Sequence, residues 1–488
     1  MTSRAGSSAS ATMSGIRLGA LLTGSFMASF DFFVINVAAP SIQRSLSASS
    51  WQLELIVGAY AFAYAAGMVL GGRLGDLFGH REVFAGGMLA FAAASAFCGL
   101  AGGPQALIGA RLLQGAAAAA MLPQVLAIIS ARTMGGGRAR AMAWYGVSGG
   151  LGSLAGQVLG GLLVTADVGG LGWRMIFLIN LPIGLAGAAV AKGVLPALAT
   201  KPPARRTLDV GGAGGLATGV ALLLVPLSMG HQEGWPAWAW ACMGMAVPVL
   251  SATLMWQLSL ERRGRQPLLP VHLFAVPSFR LGMLSAAAFM VMFASYMFAL
   301  ALLLQTGYGL DPLQAGLAFA PSALTFLIAA LLVPRLPARV QRHSVVAGAL
   351  TAAAALAVIS VLARAGSGHD WIGVVVLLAA VVSLGNGAVL PSLIGLALAQ
   401  VPPGDAGAGA GAVATAQQFS AAAGVAILGT VFFAAAGHSV HAGAGRGMAW
   451  VAGFGAASSL VVAACGTALR RDADRRAAVR RATPGARR

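Results

Sequence analysis

Fourteen long apolar segments run through this sequence, and each is long enough to cross the hydrocarbon core of a bilayer as a helix. They lie at residues 17–40, 52–72, 83–102, 105–131, 141–165, 173–195, 209–229, 237–257, 281–305, 313–333, 344–363, 371–400, 407–435 and 447–469. Only 9% of the residues are charged, whereas about a quarter are charged in soluble domains. The sequence therefore predicts an all-α integral membrane protein.

Basic residues are distributed unevenly between the two sides of the predicted membrane. Of the 31 Lys and Arg residues, 26 fall on the side that holds both chain termini. Because cytoplasmic loops collect Lys and Arg, we expect both termini in the cytoplasm of a multi-pass protein of the cell membrane. The net charge of +18 then reflects topology, so we expect membrane lipid and not nucleic acid as a partner. The preference for Arg over Lys is typical of a high-GC bacterium.

The segments group into two halves that resemble each other. Residues 121–128 match residues 389–396, and the same spacing of 33 residues follows each match, from Pro123 to Gly156 and from Pro391 to Gly424. Repeated halves are typical of secondary transporters, whose site lies between them. We predict a cytoplasmic tail at 1–16, a six-helix half at 17–195, an extra two-helix linker at 209–257, a second six-helix half at 281–469 and a basic cytoplasmic tail at 470–488.

Two charged residues, Asp31 and Arg111, lie inside apolar segments. A charge at membrane depth costs several kcal/mol unless it is paired or hydrated, so such residues usually mark an ion or substrate path. Asp31 precedes Pro40, the expected outer end of its helix, by ~13 Å, and Arg111 follows Pro104 by ~10 Å. Both therefore lie in one layer and are expected to pair. A static salt bridge that holds two helices together is the alternative interpretation.

The stretch GGRLGDLFGHRE at 71–82 resembles the signature that the major facilitator superfamily carries between its second and third helices. The residues that match the signature are Gly72, Leu74, Gly75, Asp76, Gly79 and Arg81. The resemblance implies an inner gate. His80 stands where a fixed positive charge is usual, which would make the gate sensitive to pH. An ordinary charged turn with packing glycines is the alternative.

The segment that begins at Arg111 matches a second motif of that superfamily, R-x-x-Q-G, through Gln114 and Gly115. The resemblance implies that Arg111 takes part in proton coupling. The chemistry is consistent with that role, since a guanidinium stays charged and pairs with an ionised carboxylate. Protonating that carboxylate would free the arginine to rearrange.

Glycines repeat every fourth residue in the fifth segment, at Gly152, Gly156 and Gly160, and form a face that another helix can approach closely. Together with Gly161 they are similar to the antiporter motif of the drug-exporting branches of the superfamily. Gln157 replaces the usual proline, so any bend must rely on the glycines. The alternative is that these glycines serve helix packing alone.

Two further stretches, residues 30–46 and 172–184, are similar to motifs of the fourteen-helix drug:proton antiporters within the superfamily. The resemblance covers most of the chain. It implies the major facilitator fold, with two six-helix halves plus two extra helices and fourteen transmembrane helices in all.

These features predict a proton-coupled efflux transporter that acts on amphipathic or cationic drugs or antibiotics, for resistance or for export of a self-made antibiotic. The proton gradient would supply the energy, with no cofactor, no metal site, no enzymatic activity and function as a monomer. No nucleotide-binding P-loop motif occurs in the sequence. An uptake or facilitative transporter of the same superfamily and a lipid flippase are the alternatives.

Aromatic, thioether and amide side chains near the middle of the predicted helices are candidates for the substrate cavity. They are Asn36, Tyr60, Tyr64, Phe293, Tyr296, Met297, Gln417 and Gln418. Glu54, one turn into the second segment, is expected to lie at the solvated rim, and a second proton site is the alternative. The repeat places Met297 opposite Asp31 and Ala379 opposite Arg111, so the charged pair is predicted to belong to the first half alone.

Overall fold

The computed structural model describes residues 13–133, 135–195, 209–230, 233–265, 267, 271–365, 371–398, 400–402, 406–437 and 440–482. All regular secondary structure within these ranges is helical, as predicted. Thirteen helices are long and apolar enough to cross a membrane, and the count is fourteen when the bent second helix is taken as one span. Most of the predicted amino-terminal tail and the last residues of the basic tail, 483–488, lie outside the described residues.

The α-helices have the following bounds in chain order: α1 Gly15–Leu46, α2 Ser50–Phe78, α3 His80–Gly99, α4 Pro104–Arg132, α5 Gly135–Ala166, α6 Met175–Leu178, α7 Asn180–Val194, α8 Val210–Gly230, α9 Ala237–Arg262, α10 Pro277–Leu302, α11 Pro312–Leu332, α12 Ala338–Ala365, α13 Ile372–Leu398, α14 Ala406–Ala436 and α15 Val440–Ala482. The short helix α6 and helix α7 form one span. We call the end of the bundle where α1 passes to α2 the outer end, following the predicted topology, and the opposite end the inner end.

Helix α1 does not end at Pro40, so the boundary predicted there is wrong. Pro40 lies inside α1, which continues to Leu46 and stops at Ser47 in the left-handed region, with φ 50°. A proline removes one hydrogen bond and bends a helix. In a bilayer, however, unpaired backbone groups cost several kcal/mol each, so the chain resumes the helix directly after the bend.

The stretch 71–82 is not a loop, which corrects the prediction for this motif. Helix α2 extends to Phe78, and Gly79 alone separates it from α3. Gly79 has φ 94°, a conformation that side-chain-bearing residues rarely adopt, so a glycine is required there. Consequently Gly72, Gly75 and Asp76 lie in the last turns of α2.

The helices pack in two groups, with α1–α7 in the first and α10–α15 in the second. The groups meet along two seams, one between α2 and α14 and the other between α5 and α11. The helices α8 and α9 pair with each other, and α8 also packs against both α2 and α14. The extra helix pair therefore lies over the α2–α14 seam.

Candidate functional site

The structure brings the two predicted membrane charges together. Asp31 of α1 and Arg111 of α4 are both completely buried, and Nη1 of Arg111 donates to Oδ2 of Asp31. Neither side chain reaches solvent, so each charge depends on the other for compensation. This ion pair is the centre of the candidate site.

Gln114 connects both members of the ion pair. It follows Arg111 by three residues, which places the two side chains on one face of α4. Its Oε1 accepts from Nη1 of Arg111 at 2.7 Å, and its Nε2 donates to Oδ1 of Asp31 at 2.7 Å. The second hydrogen of the same amide reaches Oγ of Ser95 in α3, also at 2.7 Å. Three helices are thus linked through one buried side chain.

Two residues of this network, Ser95 and Asn180, were not identified from the sequence. Nδ2 of Asn180 lies 3.4 Å from both Oδ1 of Asp31 and Oγ of Ser95. Asn180 belongs to the stretch 172–184, so its motif was noticed but its side chain was not singled out. Ser95 stands in an alanine-rich segment, where nothing distinguishes it from a packing residue.

Aromatic rings complete the surroundings of Arg111. Its guanidinium carbon lies 4.7 Å from the centre of the Tyr60 ring and 5.7 Å from that of Phe177. The ring faces partly replace water around the cation. Nε donates to the carbonyl of Ile56 at 3.3 Å, whereas Nη2 has no hydrogen-bond partner among the described residues. The guanidinium therefore keeps one donor nitrogen unused in this arrangement.

The glycine face of α5 fixes the position of α1 around Asp31. A Cβ on Gly156 would lie 2.6 Å from the carbonyl oxygen of Phe30 and 3.1 Å from the amide of Val34. Gly152 and Gly160 approach the same helix at Phe26 and Val34. Only glycine allows the backbones to come so close.

The opposite side of α5 meets the second group. A Cβ on Gly161 would collide with the carbonyl of Pro312 and lie 3.0 Å from Cα of Leu313. Gln157 is buried, and its Oε1 has no hydrogen-bond partner among the described residues. Helix α5 thus connects the helix that carries Asp31 to the second group.

The predicted inner-gate residues connect three helices, α2, α3 and α4, at the inner end. Nδ1 of His80 lies 2.8 Å from Oε1 of Gln124 in α4, and Nε2 of Gln124 donates to the carbonyl of Gly71 at 2.7 Å. Gly75 faces His80 and Gln124 so closely that a Cβ would overlap both. The other ring nitrogen of His80 is 3.7 Å from Oδ1 of Asp76, an ion pair whenever the imidazole is protonated.

Arg81 extends this inner-end cluster to α7. It pairs with Glu82 at 2.6 Å and donates to the carbonyl of Leu195, just after the end of α7, at 3.2 Å. Its contacts lie within the first group.

The remaining motif residues differ in packing. A Cβ on Gly72 would have 3.8 Å of clearance from Pro123, whereas Gly115 lies directly against the carbonyl of Tyr60. Leu74 is half-buried in the last turns of α2.

A small pocket lies between the two groups, next to the ion pair along α1. It is lined by Phe32, Asn36, Val57, Gly58, Ala61, Ala294, Ala421 and Val425. Of the predicted cavity residues, Asn36 lines this pocket. Its Nδ2 donates to the carbonyls of Phe32 and Phe33 at 3.4 Å.

The other predicted cavity residues lie outside this pocket. Tyr60 and Tyr64 pack inside the first group with ring centres 6.2 Å apart, and Phe293 contacts Phe33 across the interface at 5.9 Å. The hydroxyl of Tyr296, Nε2 of Gln417 and Oε1 of Gln418 are buried without hydrogen-bond partners among the described residues. Met297 is buried as well.

Glu54 is not at a solvated rim, and that prediction is wrong. Its side chain is 2% exposed and lies against α14, where Oγ1 of Thr430 is 3.2 Å from its Oε2. No pattern around Glu54 in the sequence indicates this burial, because Thr430 is 376 residues away.

Comparison with known proteins agrees with this architecture. The family model for the Major Facilitator Superfamily matches residues 21–425 and, in a second placement, 282–487. The chain is 36% identical over 449 residues to the "Probable actinorhodin transporter" of Streptomyces coelicolor, covering 91% of this chain and 77% of that protein. It is 35% identical to the cephamycin export protein CmcT of Amycolatopsis lactamdurans, with 84% and 83% covered. It is also 32% identical to the methylenomycin A resistance protein of Streptomyces coelicolor, with 86% of each covered.

Solved structures show the same fold at low sequence identity. A bacterial homolog of the human lysosomal transporter Spinster, in an inward-facing conformation, superposes with a TM-score of 0.66 at 16% identity and covers 94% of this chain and 98% of that one. A peptide transporter of the POT family in complex with sulfate also gives 0.66, at 18% identity, with 94% of each chain covered. The chain is therefore a member of the Major Facilitator Superfamily of membrane transporters, with the fourteen-span plan predicted from its sequence.

Proposed function

We propose that this protein is a proton-driven antiporter that exports amphipathic or cationic drugs or antibiotics across the cytoplasmic membrane, with both termini in the cytoplasm. The observation that carries the proposal is the completely buried pair of Asp31 and Arg111. Asp31 is followed directly in α1 by Phe32, which lines the pocket between the two groups. A change of charge on Asp31 is thus connected to the shape of that pocket through one helix.

Protonation of Asp31 removes the negative charge that compensates Arg111. The guanidinium then keeps Oε1 of Gln114, the carbonyl of Ile56 and the Tyr60 ring face as partners. Removing one charge from a buried pair costs about 3–5 kcal/mol. Two states of a protein commonly differ by a few kcal/mol, so loss of this pair is large enough to shift the equilibrium between them. The glycine face of α5 would transmit the movement of α1 to α11 in the second group.

Export, and antibiotics as the class of substrate, are supported by the relatives, which include a cephamycin export protein and a methylenomycin A resistance protein. The pocket lining is apolar except for Asn36 and suits an amphipathic molecule. The proton gradient is the proposed energy source, without a cofactor, and the chain is proposed to act as a monomer. Multi-pass insertion keeps its outer surface in contact with lipid.

Everted membrane vesicles from a pump-deficient bacterium test this function. The vesicle lumen is acidified by respiration and monitored with a fluorescent acridine dye, and ethidium or puromycin is then added. We expect drug-dependent proton release from vesicles that contain the wild type and none from vesicles that contain Asp31→Asn. The control is Asp311→Asn, an exposed position where asparagine caps a helix as well as aspartate does.

Three results would contradict the proposal. One is full drug-dependent proton release by Asp31→Asn. Another is drug movement by the wild type without proton movement, which would indicate a facilitative transporter. The third is translocation of labelled lipid in reconstituted liposomes with no movement of either drug, which would indicate a flippase.

A further inference from the structure

Glu54 is a second acidic side chain buried among the membrane helices, and the mechanism above does not use it. It lies one turn into α2 from the outer end, at the place where α2 meets α14 and α8. Only 2% of it is exposed. No Lys, Arg or His among the described residues comes within 4.0 Å of its carboxyl oxygens.

The polar side chains beside the carboxyl group of Glu54 are two hydroxyls, those of Thr430 and Ser228, and neither carries a positive charge. Oγ1 of Thr430 lies 3.2 Å from Oε2 of Glu54, 3.2 Å from the carbonyl of Leu227 in α8 and 2.7 Å from the carbonyl of Ala426. A hydroxyl has one hydrogen to donate. The shortest of the three contacts is the one to Ala426, which leaves the hydroxyl oxygen free to accept a hydrogen bond from a protonated Glu54.

A second hydroxyl, that of Ser228 in α8, lies beside the carboxyl group, and Gly429 of α14 packs directly against it. A Cβ on Gly429 would lie 3.0 Å from Cγ and 3.2 Å from Oε1 of Glu54, so the carboxyl group occupies the space that a side chain at Gly429 would fill. Close packing of this kind leaves no room for a hydrating water on that side. An unpaired ionised carboxylate in such a place costs several kcal/mol.

The elements packed against α2 supply no countercharge. Helices α8 and α14 contain no charged residue over their lengths. In α1, Asp31 pairs with Arg111 of α4, and Arg44 is exposed and donates to Ser41. The other charged groups of these helices belong to their inner ends, at Arg17 of α1, at Arg73 and Asp76 of α2, at His80, Arg81 and Glu82 of α3, and at Arg132 of α4.

We infer that Glu54 is a second proton-binding site and that closure of the outer end requires a proton on its carboxyl group. When the outer end is open, water reaches Glu54 and the carboxylate is ionised. On closure the carboxylate takes a proton from outer water, its new O–H donates to Thr430, and α2, α14 and α8 come together. Opening returns the proton to the same water. The inference rests on the proposed function and deepens it. A low pH outside would favour closure of the outer end, which is the step of the proposed cycle that carries protons inward.

Hydrogen–deuterium exchange on the purified full chain in lipid nanodiscs tests this inference without substrate or gradient. Exchange is measured at residues 50–60 and 426–436 between about pH 5 and about pH 9. The closed state binds one more proton than the open state, so closure weakens as the pH rises. Because intrinsic amide exchange itself accelerates with pH, the quantity compared is the protection factor, the intrinsic rate divided by the observed rate. We expect protection in both segments to fall as the pH rises in the wild type. Glu54→Gln, which stays neutral, is expected to keep protection high throughout.

The matched control is Glu233→Gln, the same substitution at an exposed residue in the α8–α9 connection at the outer end, where Glu233 accepts from Trp238. It should respond to pH as the wild type does. A wild type without pH response, or Glu54→Gln with the full wild-type response, would overturn the inference.

Two further measurements keep the test decisive if Glu54→Gln does not fold. Thr430→Val removes the hydroxyl that accepts the hydrogen bond from protonated Glu54. We expect the equilibrium between the open and closed outer end to shift about fivefold towards the open state at low pH, which is the equivalent of one hydrogen bond. Infrared spectra of the wild type should contain the C=O band of a protonated carboxylic acid that disappears as the outer end opens at high pH, and absence of that band would contradict the inference. Asp31→Asn should lose transport yet keep the pH response, so failure of antiport and failure of the Glu54 site are distinguishable.

Discussion

Gln305 donates a hydrogen bond of 2.7 Å to the main-chain carbonyl of Val37, although the two residues are 268 positions apart. Each lies at an irregularity of its helix. Gln305 is in the π-helical turn Leu303–Gly307 that follows α10, and Val37 is in the turn of α1 that Pro40 bends. Bends and π-turns loosen the hydrogen-bond ladder, so a carbonyl there can accept a second donor. The two groups are thereby joined at the outer end.

Replacing this donor should weaken closure of the outer end. We expect Gln305→Leu to destabilise the closed arrangement by about 1 kcal/mol, or about fivefold in the equilibrium, because the leucine packs but cannot donate. Faster hydrogen–deuterium exchange in residues 30–46 would measure this effect. Gln43→Leu, at a partly exposed glutamine in the same helix, is the control and should exchange like the wild type.

A double-mutant cycle should separate the stability role of the Asp31–Arg111 pair from its role in transport. Arg111→Gln leaves Asp31 buried without its cation and is expected to cost about 3–5 kcal/mol in unfolding free energy. Adding Asp31→Asn removes the unpaired charge and should recover most of that loss, which thermal unfolding in detergent will report. Transport should stay absent in the double variant. Recovered drug-dependent proton release would show that the pair only holds helices together.

The glycine face of α5 should tolerate no methyl group where it meets α1. Gly156→Ala places Cβ against the carbonyl of Phe30, and we expect a loss of about 1–3 kcal/mol from forced separation of the helices. The control is Gly146→Ala in the same helix, because nothing lies within 4 Å of a Cβ there. Unfolding temperatures of the two variants should differ clearly. Equal values would mean that the close approach of α5 to α1 is not maintained in the membrane.

Two glycines of the inner-end motif should differ in sensitivity, although both match the family signature. Gly75→Ala would displace Gln124 and His80 and break the contacts that join α2, α3 and α4. Gly72→Ala has 3.8 Å of clearance from Pro123 and should be nearly neutral. Resistance conferred on a pump-deficient host, corrected for expression, measures the difference. A Gly72→Ala variant as impaired as Gly75→Ala would argue against the packing explanation.

The site residues that can be predicted from the sequence are those whose chemistry is unusual in an apolar segment. Asp31 and Arg111 are charges in apolar runs, and Gln114 follows one turn after Arg111, so all three were identified. Ser95 and Asn180 are small or weakly polar, and such residues are common in membrane helices for packing alone. Their roles depend on which helices meet, which the sequence of one segment does not encode.

The structure differs from the prediction where a rule for helix ends in water does not hold in the bilayer. Pro40 was interpreted as a helix end because proline terminates many helices in water. In lipid the penalty for unpaired backbone groups is larger than the cost of a bend, so α1 continues. Glu54 was assigned to the rim from its position in α2, but its burial depends on Thr430 in a helix near the other end of the chain. No pattern within α2 reports that contact.

Helix α8 packs on both sides of the α2–α14 seam, whereas no comparable packing of α8 against α5 or α11 occurs among the described residues. The two seams therefore differ in their exposure to lipid, because α8 covers the α2–α14 seam. A hydrophobic solute dissolved in the bilayer would find one lateral entrance covered by a permanent helix and would have to approach along the other side. In the proposed transport cycle, a movement of the two groups relative to each other would also have to slide or tilt α8, because α8 packs against both groups.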